Sequence, residues 1–145
     1  MNKDLERAKI ELLQGDYTCV LVNEENTFTS TKRGVAPLLG WIDKGVDLQG
    51  YSAADKVVGR GAAMLYVLMG IKVLYAAVLS EEAETALKEA GIEVYYGELV
   101  PRIQNRTKTG YCPMEEAVLG ITDPEEALLS IKKKLEFLRN NQVGA

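Results

Sequence analysis

Apolar residues recur in this chain at two alternating periods. In "NKDLERAKIELLQ" (2–14), Leu5, Ala8 and Leu12 fall on one helical stripe, with Leu13 widening it and Ile10 toward its edge. Gly15 ends that helix. "YTCVLVN" (17–23) is a short apolar, β-branched run and predicts a strand. "EEN" turns the chain, and "TFTS" (27–30) returns as a hairpin partner. Val35, Leu38, Leu39 and Ile42 resume helical spacing, with Pro37 tolerated in the first turn. A strand follows at 52–58, then a helix from Gly59 to Met69 capped by Gly70. "KVLYAAVL" (72–79) has the unbroken apolarity of a strand buried on both faces. Ser80 is an N-cap for "EEAETALKEA", Gly91 closes that helix, and "IEVYYGELV" is the next strand. Beyond Pro101 the periodicity weakens. "RIQNRTKTGYC" is polar and irregular, "PMEEAVLG" is a short helix begun by Pro113, and Asp123-Pro124 opens a final helix.

This order, helix, hairpin, helix, then alternating strands and helices, predicts an α/β fold. The expected architecture is three-layer α/β/α, with a mixed, mostly parallel sheet of about five strands and an N-terminal β-hairpin. The 145 residues suit a single domain, 1–145. In such folds ligands sit beyond the carboxyl ends of the strands, here loops 30–34, 56–61, 79–82 and 97–112.

Composition narrows the chemistry. The chain has no histidine, so the usual neutral-pH base and the commonest zinc ligand are both missing. Any proton transfer falls to carboxylates, Lys, Tyr or a thiolate. The net charge is −4 and the pI about 5.0, which argues against a nucleic-acid surface. No apolar run reaches the ~18 residues of a membrane helix, so no membrane partner is expected. Cys19 and Cys112 lie far apart with no metal spacing, and no signal peptide is evident at the N-terminus. The expected compartment is a reducing cytoplasm.

The stretch "DKVVGRGAAMLYVLMG" concentrates the candidate chemistry. A strand delivers Gly59, Arg60, Gly61 and Ala62 to a helix N-terminus, whose free amides and dipole favour an anion or a carbonyl, with Lys56 and Arg60 adding charge. The plain alternative is a tight βα turn. Ser80 and Glu81 open the next core helix, where Ser80 reads as a cap because no histidine exists to activate it. In "NRTKTGYCPMEE", Asn105 and Arg106 offer hydrogen bonds and charge, while Cys112 precedes a helix whose dipole favours a thiolate; Glu115 and Glu116 oppose that. Lys32 and Arg33 read more simply as solvated turn residues. Cys19 reads as a core residue.

The element order resembles the cytidine deaminase-like fold. There, an H-x-E or C-x-E motif opens one core helix and a P-C-x-x-C motif opens the next; together they hold a catalytic zinc. The first falls on "GRGAAML" and the second on "AAVLSEEAETALKEAGI", but the ligand residues are absent from both. More specifically, the chain is similar to an uncharacterised bacterial and archaeal domain-of-unknown-function family placed in that fold and lacking its zinc motifs. The likeness is carried by "DKVVGRGAA", "NRTKTGYCPMEEA" and "KRGVAPLL". It implies a fold and a pocket where deaminases keep their metal, into which the Gly59 and Ser80 helix openings converge. It implies no activity.

Three functions follow. The first is a metal-free protein binding a nucleotide-like or phosphorylated metabolite at the two helix openings, with no cofactor. The second is a hydrolase or transferase on an amide or base-like substrate, with Cys112 as nucleophile, Asn105, Arg106 or backbone amides at the oxyanion, and Lys56 or a glutamate such as Glu115 as base. The third is an interaction module, with homodimerisation through leucine-rich helix stripes.

Overall fold

The structure, a computed structural model, describes residues 2–24, 26–104, 110 and 112–141. Its elements run α1 (Lys3–Gln14), β1 (Cys19–Asn23), β2 (Asn26–Ser30), α2 (Ala36–Asp43), β3 (Ser52–Val58), α3 (Arg60–Met69), β4 (Val73–Ser80), α4 (Glu81–Glu89), β5 (Glu93–Val100), α5 (Pro113–Ala117) and α6 (Pro124–Asn140). The five strands form one sheet in the order β2-β1-β3-β4-β5. β1 pairs antiparallel with both β2 and β3, whereas β3–β4 and β4–β5 are parallel. β1 therefore runs against the other four strands. The sheet is mixed and α/β as expected, with helices on both sides.

Period-two alternation explains the layers. On β1, Cys19 and Leu21 face a core shared with Ala53 and Leu74 of the sheet, Leu38 of α2, Leu65 and Tyr66 of α3, Leu87 of α4 and Ile131 of α6. Val20 and Val22 face the opposite core, which α1 completes with Leu5, Ala8 and Leu12. Each fully buried leucine contributes about 2 kcal/mol. Leu13 does not widen the stripe: it is 59% exposed, about 100° around the helix from Leu12.

Local chemistry fixes the ends. Asn2 caps α1, its side chain accepting from Leu5 N at 2.6 Å. The hairpin turn carries Glu24 at φ 47°, and α1 holds it: Glu24 N donates to Asp4 Oδ2 (3.2 Å) and Arg7 donates to Glu24 O (2.7 Å). Gly70 ends α3 in the left-handed region at φ 75°, where glycine carries no Cβ penalty. Gly59 stands outside α3 as its N-cap, so the helix starts at Arg60, one residue later than the pattern predicts.

Candidate functional site

The carboxyl end of β3 leads directly into α3, whose first amides lack partners within the helix. They find one far along the chain. Arg60 N donates to Glu115 Oε1 at 2.7 Å, and Gly61 N donates to Glu115 Oε2 at 2.8 Å. The glycines make this approach feasible. A Cβ on Gly59 would lie 2.3 Å from Glu115 Oε1, and one on Gly61 would lie 3.1 Å from Met114 O. Gly59 has an ordinary φ of −97°, so space, not backbone conformation, requires glycine there.

The contact is reciprocal. The Arg60 guanidinium reaches back to Val118 O (2.5 Å) and Ile121 O, carbonyls past the end of α5. Each element thus supplies the missing partners of the other. Burial pushes the Glu115 carboxyl above its ordinary range; the Gly61 and Arg60 amides pull it back, nearby Glu82 raises it, and the Arg60 charge lowers it.

The opening of α4 is satisfied locally. Ser80, buried, accepts from Ala83 N at 3.1 Å, and Glu81, Glu82 and Glu84 fill the first turn.

Beside the α3 opening lies a cavity of about 390 Å³. Its wall includes Asp55, Lys56, Gly59, Ala62, Cys112 and Glu115, with Arg33 joining from the loop before α2. Asp55 and Glu115 are buried, whereas Lys56 and Arg33 are exposed. The interior end is therefore acidic and the mouth basic. The site lies where β3 has an antiparallel neighbour on one side and a parallel one on the other.

Asp55 ends a buried hydrogen-bond chain. Tyr66 Oη donates to Asp55 Oδ2 at 2.6 Å, and the Cys19 sulfur lies 3.2 Å from the same hydroxyl. Burial pushes Asp55 up to about 7, opposed by Tyr66 and by the Val57 and Lys56 amides. Cys19 and Tyr66 are also held well above their usual values, chiefly by burial and then by the Asp55 charge.

The sequence-derived site divides accordingly. Lys56, Gly59, Ala62, Cys112 and Glu115 meet in one cavity. Gly61 and Arg60 donate their amides to Glu115, so the anion expected at this opening is the chain's own carboxylate. Arg60 turns its charge to backbone carbonyls and does not join Lys56 in this cavity wall. Ser80 and Glu81 do not line this cavity; the first turns of α3 and α4 meet instead, through Arg60 and Glu82, at a separate hollow. Cys112 is half-buried, and its helix α5 spans only five residues. Asn105 and Arg106 lie outside the described residues.

Pattern reading missed Asp55 and Tyr66; Arg33, read as a solvated turn residue, is exposed and also borders the cavity. The available signal was a lone acid inside the apolar strand "SAADKVV".

The donor set at the helix openings does not fit zinc. Gly59, Arg60, Gly61 and Ala62 offer no side-chain ligand of the required kind, and both Glu115 oxygens accept backbone amides. Among the described residues, no group of three or more His, Cys, Asp or Glu side chains gathers to hold a metal.

A mixed five-stranded α/β sheet with a glycine-built turn closed by a distant glutamate defines a layered α/β domain whose helix openings hold no zinc-ligand set among the described residues. The chain belongs to the family described as TM1506, a domain of unknown function (DUF1893), which it matches over residues 7–135. The family resemblance expected from the sequence is thereby borne out. The chain is similar to the crystal structure of a DUF1893 family protein (TM1506) from Thermotoga maritima. Identity is 27%, the TM-score is 0.82, and the match covers 92% of each chain. It also aligns with a diaminohydroxyphosphoribosylaminopyrimidine deaminase/5-amino-6-(5-phosphoribosylamino)uracil reductase from Thermotoga maritima. There identity is 17% and the TM-score 0.42, over 64% of this chain and 35% of that one. No curated protein matches the sequence.

Proposed function

We propose that this protein binds a small, nucleotide-like metabolite, without metal and without catalysis, in the cavity at the carboxyl end of β3. The supporting observation is the ordered polarity of that cavity. Two buried carboxyl groups, Asp55 and Glu115, lie inside, and two exposed cations, Arg33 and Lys56, stand at the mouth. A ligand with a nitrogen-bearing head inward and a phosphate or carboxylate tail outward matches this gradient. The apolar side chains of the wall, Val35, Val57, Ala62, Ile103 and Met114, suit the flat body of such a molecule.

The competing use of Cys112 as a nucleophile has less support. Glu115, its nearest candidate base in sequence, already accepts two backbone amides. A larger hollow of about 440 Å³ between α3 and α4 borders Arg60, whose guanidinium is committed to carbonyls. The two free cysteines suit a reducing cytoplasm. Exposed Leu129 and Phe137 on α6 offer apolar surface to a homodimer.

The test combines thermal shift with thiol protection. Nucleotides, bases and phosphorylated metabolites are screened against the full chain; a ligand at 100 times its Kd adds about 2.7 kcal/mol. Cys112 lines the cavity while Cys19 is buried, so iodoacetamide labelling reports on the cavity wall. A true ligand should both raise Tm and slow Cys112 labelling, and Cys112→Ser should keep the Tm rise. If no compound does both, the reading fails.

A further inference from the structure

We propose that the Asp55 carboxylate is the recognition group of this cavity, and that it takes a protonated nitrogen head group, an amidinium or guanidinium, from the ligand. This rests on the reading of the cavity as a binding site and names the charge and chemistry of what enters it.

The geometry points there in three steps. Asp55 is 6% exposed, yet it lines the cavity. Its Oδ2 is taken by Tyr66, while Oδ1 accepts from the Val57 amide at a long 3.4 Å and the neighbouring Lys56 amide is engaged by Thr18 O, which leaves acceptor capacity on the carboxylate. Among the described residues, no cation lies within ion-pair distance of it. A buried carboxylate without a counter-ion is costly, and a cavity beside it gives the counter-ion somewhere to sit.

The groups facing Asp55 do not supply that charge. Cys19 opposes it across the β1–β3 ladder, and Tyr66 reaches it from α3; both are held neutral. Glu115 and Cys112 come from the α5 side, and Glu115 has the same sign as Asp55. Lys56 and Arg33 share the cavity from its exposed mouth; the Lys56 backbone amide lowers the Asp55 carboxyl, but neither side-chain charge enters the balance that sets it. A cationic head would complete the pair by charge-assisted hydrogen bonds. Because Asp55 titrates at about 7, its proton leaves to solvent as the cation enters.

Benzamidine, cationic throughout the range, and benzamide, its neutral analogue, are titrated calorimetrically into the full chain from pH 6 to pH 8. With Asp55 at about 7, the ionised fraction rises about tenfold across that interval. Benzamidine should therefore bind about tenfold tighter at pH 8, and benzamide should show no such gain. Tyr66→Phe removes a hydrogen bond that lowers the Asp55 value and should move the midpoint to higher pH. Asp55→Asn should abolish the preference for benzamidine; if that variant does not fold, the Tyr66→Phe displacement decides. A pH-independent benzamidine affinity, an unchanged affinity in Asp55→Asn, or no benzamidine binding at all would overturn the proposal. A metabolite that protects Cys112 equally in wild type and Asp55→Asn would overturn it while leaving the binding reading intact. Failure of every compound to protect Cys112 would overturn both.

Discussion

Two core helices of this protein, α3 and α4, each follow a parallel strand, and each begins with amides that need acceptors. At α4 the need is met by the residue next door: Ser80 accepts from Ala83 at 3.1 Å. At α3 it is met by Glu115, whose sequence separation from Arg60 is 55 residues. The first solution is independent of the rest of the fold. The second makes the start of α3 depend on the docking of α5, and it brings Cys112 and Met114 along as cavity wall. The same physical requirement thus yields a cap in one place and a tertiary clasp in the other.

The clasp is broken most severely by Gly59→Ala. The new Cβ, 2.3 Å from Glu115 Oε1, must expel the carboxylate. A loss of about 3 kcal/mol or more is expected in urea unfolding, since crowding and orphaned amides act together. Adding Glu115→Ala to that variant should cost less than it does in wild type, because the two changes damage one contact. Glu115→Ala alone should cost about 2 kcal/mol and speed Cys112 labelling, as two amides lose their acceptor and α5 its anchor. Ser80→Ala should cost about 1 kcal/mol and leave Cys112 labelling unchanged. An acceleration there would show that the two openings are coupled after all.

The smallest effect is the pH dependence of these losses. The Glu115 carboxyl is raised in the folded state, so its contribution is fully present below its unfolded value and fades as pH rises through the folded one. The destabilisation by Glu115→Ala should therefore shrink as pH rises above the ordinary carboxylate range. That of Ser80→Ala should stay flat, since a hydroxyl cap does not titrate there. Parallel pH profiles for the two variants would contradict this distinction.

The contrast also explains what could be read from the sequence. Ser80, Asp123 and the apolar stripe of Leu5, Ala8 and Leu12 are decided by neighbours a few positions away, and the structure has them as expected. The hairpin and the 52–58 strand are likewise local patterns, reproduced in place. The glycine turn was legible as a place where something anionic sits. What sits there was not, because no local rule links Glu115 to residue 60. Asp55 escaped notice for the opposite reason: strand alternation alone does not reveal that an acid inside an apolar run meets Tyr66 from a helix and Cys19 from a neighbouring strand. Arg33 is the exposed turn residue that its composition suggests; that it also borders the cavity depends on tertiary placement, which turn composition does not reveal.

The Arg60–Glu115 exchange also imposes an order of events during synthesis. All five strands and α3 end by Val100, so they emerge from the ribosome ahead of the carboxylate that seals α3 and the carbonyls that Arg60 grips. Until they emerge, water must stand in for both, and the nascent sheet waits with one seam open. The last third of the chain thereby acts as the fastener for the first two.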